Sequence, residues 1–408
     1  MPKLMPVADA AAAVRAAAPL MPAQKVRLNK AAGRVLAEAI TATRDQPPFA
    51  ASAMDGYAVH TDSLHVETPV LRVIGESQAG RGFAGQVDVG DAVRIFTGAP
   101  VPAGADTIVI QENVKREGQH IEVLPDGRNT APRHIRPAGQ DFKAGETLLQ
   151  GGQRLDAWRL ALVAAAGREA VSARRRPRVV VLCTGDELVA PGRTPGPDQI
   201  YESGSAALIT LIRAWGGKAA YAGFQADDLE ATHKALKNVL KDHAPDLIVT
   251  IGGASVGDFD LVRPALNRLG LEAAFDSVKV RPGKPTAFGR LGDGTQALML
   301  PGNPASALVM AQLLLKTWIE AALGMEAGPK FVNAVLQAPA PAAGPRETFL
   351  RGRLSSSLHG QLQVEAFSDQ DSSLVGVFAQ ADALIRLPAD APPMHAGGRV
   401  EILPLERL

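Results

Sequence analysis

The chain has 408 residues, too many for one ordinary hydrophobic core, so roughly two to four domains are expected. Lys and Arg number 43 against 42 Asp and Glu, a formal net charge of +1, which excludes a global basic field for nucleic acid or an acidic membrane surface. Cys183 is the single cysteine, which excludes a disulfide framework, and the eight histidines are scattered without an HExxH pair, which disfavours zinc chemistry.

The N-terminal stretch MPKLMPVADAAAAVRAAAP is mostly alanine, interrupted by Asp9 and Arg15. It lacks the continuous apolar segment of an export signal and reads as an amphipathic surface helix. No run approaches the ~18 apolar residues of a membrane span, and the reading is a soluble cytoplasmic protein. Residues 25–40 read as short helical or mixed elements that end at the linker RDQPPFA. From 46 to 141, runs such as VLRVIGESQAG and HIEVLPDG alternate or carry β-branched residues between Gly, Pro and Asp, the pattern of a β domain with tight turns. LDAWRLALVAAAG then predicts a helix stopped by glycine. Helical pieces on both sides of a β insertion predict a discontinuous helical/mixed domain, 1–45 plus 142–175, with an inserted β domain at 46–141. The basic run RRRPR at 174–178 reads as a solvated connector.

Residues 176–327 alternate strands with helices: RVVVLCTGDEL, SGSAALITLIRAWGG, KAAYAGF, DDLEATHKALKNVLKDH, DLIVTIGG, DLVRPALNRLG and ALMLPGNPASALVMAQLLLKTWIEAAL. That order predicts a doubly wound parallel α/β sheet, whose ligands bind outside the carboxyl ends of the strands. Beyond 327, short β-like runs between prolines predict a small C-terminal β domain at 328–408, barrel-like in character. The fold class is therefore multidomain α/β.

Three segments of unusual residues fall at the predicted strand ends. In TGDEL, Thr184 and Gly185 precede Asp186 and Glu187. In IGGASVGDFD, Gly252, Gly253 and Gly257 supply backbone donors, Ser255 a hydroxyl, and Asp258 and Asp260 two carboxylates. In LPGNPAS, Pro301, Gly302, Asn303 and Pro304 make a rigid turn into a helix with Ser306 in its first turn. Each alone reads equally as a helix start or a turn; together they read as a site. VKVRPGKPTAFG adds Lys279, Arg281 and Lys284 around a Pro-Gly turn, with a solvated hairpin as the plainer alternative. Glycines, cations and acids together suit a phosphorylated ligand bridged by a divalent metal. In the β domain, Asp55 of SAMDGYA, and Thr97, Asp106 and Glu112 of FTGAPVPAGADTIVIQE, read either as turn chemistry or as side chains delivered into another site. Cys183 reads as a small buried residue, since no histidine is recognisable as its partner.

SAMDGYA, TGAPVPAGADTIVIQE, TGDEL, GGASVGDFD, RPGKPTAFG and LPGNPAS, in this order and at these distances, resemble the molybdopterin molybdenumtransferase family along essentially the whole chain. The resemblance implies an enzyme that binds adenylylated molybdopterin and molybdate with Mg2+, releases AMP and leaves molybdenum on the dithiolene sulfurs. It implies acids near substrate and metal at Asp186, Glu187, Asp260 and one of Asp227 and Asp228, with Asp186 and Asp260 on the metal. The glycines would cradle the pyrophosphate. Arg281 and Lys284 match a cationic pair, with Arg281 standing where the family motif has lysine. Asp55 and Thr97 match positions reaching the partner subunit's cleft in a homodimer. Arg351 of FLRG and Ser372 of QDSS match molybdate positions, with Asp371 adding a negative charge beside them. Implied partners are the molybdopterin adenylyltransferase and downstream cofactor-handling proteins, with no nucleic acid and no membrane. A tungsten-inserting relative and a non-catalytic molybdopterin-binding scaffold are the alternatives; the full set of acids and cations favours the enzyme.

Overall fold

Strand Arg178–Thr184 is buried from its second residue onward, as expected of a strand covered on both faces. It lies second in a six-stranded sheet ordered Lys218–Gln225, Arg178–Thr184, Leu247–Ile251, Gln296–Leu300, Ala287–Arg290 and Glu272–Phe275. The first four strands are parallel, and the last two are added antiparallel. The computed structural model describes residues 4–129, 131, 133–225, 227–253 and 261–406. From Arg178–Thr184 the chain moves outward to Lys218–Gln225 and then returns past it to Leu247–Ile251. The order reverses between these neighbours, which opens a crevice at their carboxyl ends.

Helices Gly204–Ala214 and Pro304–Ala322, the latter with a π-helical turn at Ala311–Leu315, cover one face of the sheet; Leu229–His243 and Val262–Asn267 cover the other. The first helix, Val7–Ala17, places Val7, Ala10, Ala11 and Val14 in the same core as Trp318 and Leu314. Its alanine face suits this position because small side chains let two helices approach closely.

A second core joins Val26, Leu36 and Ile40 to Leu155, Val163 and Val171. Strand Ala23–Arg27 pairs antiparallel with Ala170–Arg174, so chain from both sides of the β insertion meets here. The inserted sheet is ordered Thr107–Ile110, Gly56–Val59, Asp91–Ile95, Val70–Ser77, His120–Val123 and Val114–Glu117. Gly56 is required there: a Cβ at that position would lie 2.1 Å from the Val109 carbonyl oxygen.

In the C-terminal region, strands Glu347–Ser356, Leu362–Ala366, Val332–Leu336, Arg399–Pro404 and Ala383–Leu387 close into a barrel, the last pairing back onto the first. Two expectations change. Residues 278–289 do not form a hairpin: Val280–Arg281 runs parallel to Glu347–Ser356 at the barrel, while Ala287–Arg290 belongs to the α/β sheet. The basic run is not a free connector either. Arg175 makes two bonds of 2.9 and 2.8 Å to Asp246, whose carboxylate also accepts the Arg178 N–H.

Candidate active site

The crevice at the strand ends is a cavity of about 600 Å3. Thr184, Gly185, Glu187, Asp227, Gly252, Gly253, Pro301, Gly302, Asn303 and Pro304 all line it. Sequence positions from 184 to 304 converge because each segment leaves the carboxyl end of a neighbouring strand. Gly252 has φ +90°, and a Cβ there would sit 2.5 Å from the Thr184 carbonyl oxygen; at Gly253 it would meet Val262 at 2.3 Å. Only glycine permits this close backbone approach. The Thr184 hydroxyl is buried beside them, with no hydrogen-bond partner among the described residues. A buried hydroxyl without a partner is costly, and a ligand accepting from it relieves that cost.

The acids divide by role. Asp186 Oδ1 accepts the Asp227 N–H at 3.0 Å. The Asp227 carboxyl is raised above its ordinary value, first by burial, then by the charges of Asp186 and Glu187. Asp228 points elsewhere: its Oδ1 accepts the Ala231 N–H at 2.7 Å and caps helix Leu229–His243. Among the described residues, no three His, Cys, Asp or Glu side chains form a metal-binding cluster. Ser255, Gly257, Asp258 and Asp260 lie outside the described residues.

Deeper in the same cavity are residues the sequence did not single out. Glu202 is buried, accepts the Ser205 N–H at 2.8 Å and the Ser205 hydroxyl, and faces the Cys183 thiol at 3.4 Å. Ser203 sits at the helix start without a side-chain capping bond, so the carboxylate of Glu202 does that work. Burial, before the nearby Glu202 charge, drives the Cys183 thiol far above its ordinary value, which makes it a poor nucleophile.

A second cavity, about 520 Å3, lies between the α/β unit and the barrel. Arg281, Lys284, Ser306 and Ser372 line it, joined by Arg346, Thr348, Ser368 and Gln370. Pro285 lines both cavities. Arg281 pairs in register with Thr348, which brings the cationic loop to the barrel wall. Arg351 is not on that wall. Its side chain is 1 % exposed, and Nε donates to Gln370 Oε1 at 3.1 Å and Nη1 to the Asp371 carbonyl at 2.9 Å, which ties the guanidinium to the 370–371 loop. Burial pulls its guanidinium below the ordinary value, opposed by Asp369 and Asp371.

Asp55 and Thr97 line neither cavity. They pair with each other: Asp55 Oδ1 accepts the Thr97 N–H at 2.7 Å and its hydroxyl at 2.8 Å. Asp106 is engaged by Thr61, accepting its N–H at 2.8 Å and its hydroxyl at 2.6 Å.

Residues 5–167 match the family model of the MoeA N-terminal region (domains I and II), 180–321 that of a probable molybdopterin binding domain, and 333–405 that of the MoeA C-terminal region (domain IV). A molybdopterin molybdenumtransferase from a Nostoc strain is 33% identical over 393 residues, covering 93% of this chain and 88% of the relative. The chain belongs to the molybdopterin molybdenumtransferase family. Another molybdenumtransferase, from Haemophilus influenzae, is 33% identical over 94% of both chains. A crystal structure of a molybdopterin biosynthesis MoeA protein from Pyrococcus horikoshii superposes with a TM-score of 0.83 at 27% identity, covering 99% of this chain and all of that one. The fold of the molybdenumtransferases therefore extends through the barrel that closes the second cavity. No helix among the described residues is long and apolar enough to cross a membrane.

Proposed function

We propose that this chain transfers molybdenum from molybdate to adenylylated molybdopterin with release of AMP, the last step of molybdenum cofactor formation. The observation that carries the reading is a glycine-lined crevice sharing a wall with a cation-lined cavity, with Pro285 on both sides. The crevice suits the phosphate side of an adenylylated pterin, because close-packed glycines and a buried free hydroxyl present donors to it. The second cavity suits a tetrahedral dianion, because Arg281 and Lys284 line it beside the hydroxyls of Ser306 and Ser372. Full-length likeness to chains named for this reaction supports the reading.

The acids fit a Mg2+ requirement. The Asp227 carboxyl is raised first by burial and then by the charges of Asp186 and Glu187, and a divalent cation would relieve that repulsion. Mg2+ commonly takes one or two carboxylates plus substrate phosphates instead of a closed protein cage. Asp186 would hold it, with Asp260, which lies outside the described residues, as the second acid the family resemblance implies. When bound, the cation neutralises the pyrophosphate charge. Glu187 and Asp227 then shape the field around the bond to AMP, Gly252 and Gly253 hold the phosphate side, and Pro301–Pro304 fixes the helix start. We further infer a homodimer, because Asp55 and Thr97 line neither cavity of their own chain and a second copy would give them a cleft to serve. A cytoplasmic setting accompanies this reading, in keeping with one buried, unpaired cysteine.

The test is AMP release by the purified chain given adenylylated molybdopterin, Mg2+ and molybdate or tungstate. Release that depends on the oxyanion supports the assignment. AMP at the level of a protein-free control, or release indifferent to the oxyanion, overturns it.

A further inference from the structure

Helix Gly204–Ala214 leads from the crevice back to Lys218, which pairs with Arg178 at the opposite end of the strands. Its eleven residues span about 16 Å. At its start, Glu202, Ser203 and Gly204 line the crevice, and the Glu202 carboxylate caps the helix beside the Cys183 thiol. At its end, the last carbonyls need donors. The Leu211 carbonyl accepts the Trp215 N–H at 2.8 Å, that of Ile212 the Gly217 N–H at 2.8 Å, and that of Arg213 the Gly216 N–H at 3.1 Å.

The next two carbonyls both go to one side chain from another domain. Arg154 donates from Nη1 to the Ala214 carbonyl at 2.6 Å and from Nη2 to the Trp215 carbonyl at 2.5 Å. A planar guanidinium can span adjacent carbonyls in this way, and its charge suits a helix C-terminus. Arg154 is itself anchored in the discontinuous domain. It bridges to Val35, and the adjacent Leu155 is buried in that domain's core with its N–H on the Arg34 carbonyl at 2.8 Å. Burial pulls the Arg154 guanidinium below its ordinary value, opposed by the charges of Glu406 and Glu320. The same domain carries the β insertion with Asp55, so one side chain links that unit to a helix walling the crevice.

We propose that Arg154 is a positioning residue for the crevice: by gripping the far end of Gly204–Ala214, it sets where Glu202, Ser203 and Gly204 stand in the wall. Its effect on turnover rests on the function proposed above. Its effect on the helix rests on the two bonds alone.

Cys183, the single cysteine, reports on the helix start because its thiol lies against Glu202 and is 1 % exposed. The experiment follows labelling of this thiol in the full chain by an aromatic disulfide, with melting measured in parallel. Losing a charge-assisted bond raises the population of a locally opened state by about ten- to a hundredfold, so Arg154→Ala should label faster by that factor. Arg154→Lys keeps the cation and gives up the fork, so its rate should fall between the two; it decides the matter if Arg154→Ala does not fold. Leu155→Ala weakens the neighbouring core without touching the helix end, and should melt lower while labelling at close to the native rate. In AMP release, the KM for adenylylated molybdopterin should rise in the Arg154 variants by a larger factor than kcat falls.

Labelling at the native rate in Arg154→Ala, or in Arg154→Lys where the alanine variant does not fold, overturns the proposal. So does equal acceleration in Leu155→Ala, which would make the effect one of general instability. Faster labelling with an unchanged KM would confine Arg154 to the helix and remove its role at the crevice. Failure of the proposed function looks different: the native chain would release no AMP while the labelling order of the variants held.

Discussion

Asn303 Nδ2 donates a 2.9 Å hydrogen bond to Ser372 Oγ, joining the wall of the crevice to the wall of the cation-lined cavity. The Ala305 N–H donates to the Ser372 carbonyl at 3.1 Å, so a barrel loop is tied twice to the start of one helix. Asn303→Ala removes one tie without removing any group from the second cavity. We expect tungstate and pterin affinities to change little and AMP release to slow by on the order of tenfold, since transfer between adjacent sites depends on alignment. Separate binding and single-turnover measurements check this. A collapse of oxyanion affinity would make Asn303 itself a ligand.

The raised Asp227 carboxyl gives a pH-dependent prediction. Its folded-state value lies above the unfolded one, so its contribution to stability is complete below the ordinary aspartate range and is lost as pH rises through the raised value. At neutral pH without Mg2+, Asp227→Asn should therefore melt higher than the native chain, by on the order of one or two degrees because partial exposure keeps the effect small. Mg2+ should stabilise the native chain more than the variant. Equal responses to Mg2+ in calorimetric melts would detach Asp227 from the cation.

Asp55 titrates in the opposite direction. The Thr97 N–H, then its hydroxyl, hold the carboxyl below the ordinary value, with a smaller contribution from Arg94. Its stabilising share is present above the ordinary aspartate value and lost as pH falls through the depressed one. Thr97→Val keeps the N–H bond and removes the hydroxyl, so the Asp55 carboxyl resonance should titrate at higher pH in NMR.

If Asp55 serves a second copy, mixing Asp55→Asn with Lys284→Ala chains after joint refolding should restore activity. Statistical mixing makes half the dimers mixed, each with one unaltered site, or about a quarter of native activity. No recovery would place Asp55 in its own chain's site or in none.

Much of this was legible in the sequence because strand ends in a doubly wound sheet are both chemically unusual and spatially adjacent. Thr184, Gly252 and Asn303 could be grouped without coordinates for that reason. The choice between Asp227 and Asp228 could not be made, because adjacent acids look alike until one is seen capping a helix. Arg351 and Arg346 were not separable either: FLRG stood out as a family motif, whereas Arg346 in GPRET has no pattern. Its place follows only from the pairing of Val280–Arg281 with the barrel, a contact between segments 67 residues apart by the register Val280 with Glu347. No local periodicity encodes such a pairing.

That same pairing has a consequence for biosynthesis. The crevice draws most of its lining from residues 183–304, whereas the cation-lined cavity also needs Arg346, Thr348 and Ser372. A chain emerging from the ribosome N-terminus first folds unit by unit. The α/β unit is complete in sequence while Arg281 and Lys284 still lack their opposite wall, which is translated after it. A transcript truncated before the barrel would encode a chain with the crevice's main walls and only half of the oxyanion cavity. Premature termination would thus separate the two binding functions, and a ribosome-stalled series of increasing length would pass from one to the other at Arg399–Pro404, the strand that joins Val332–Leu336 to Ala383–Leu387 and closes the barrel.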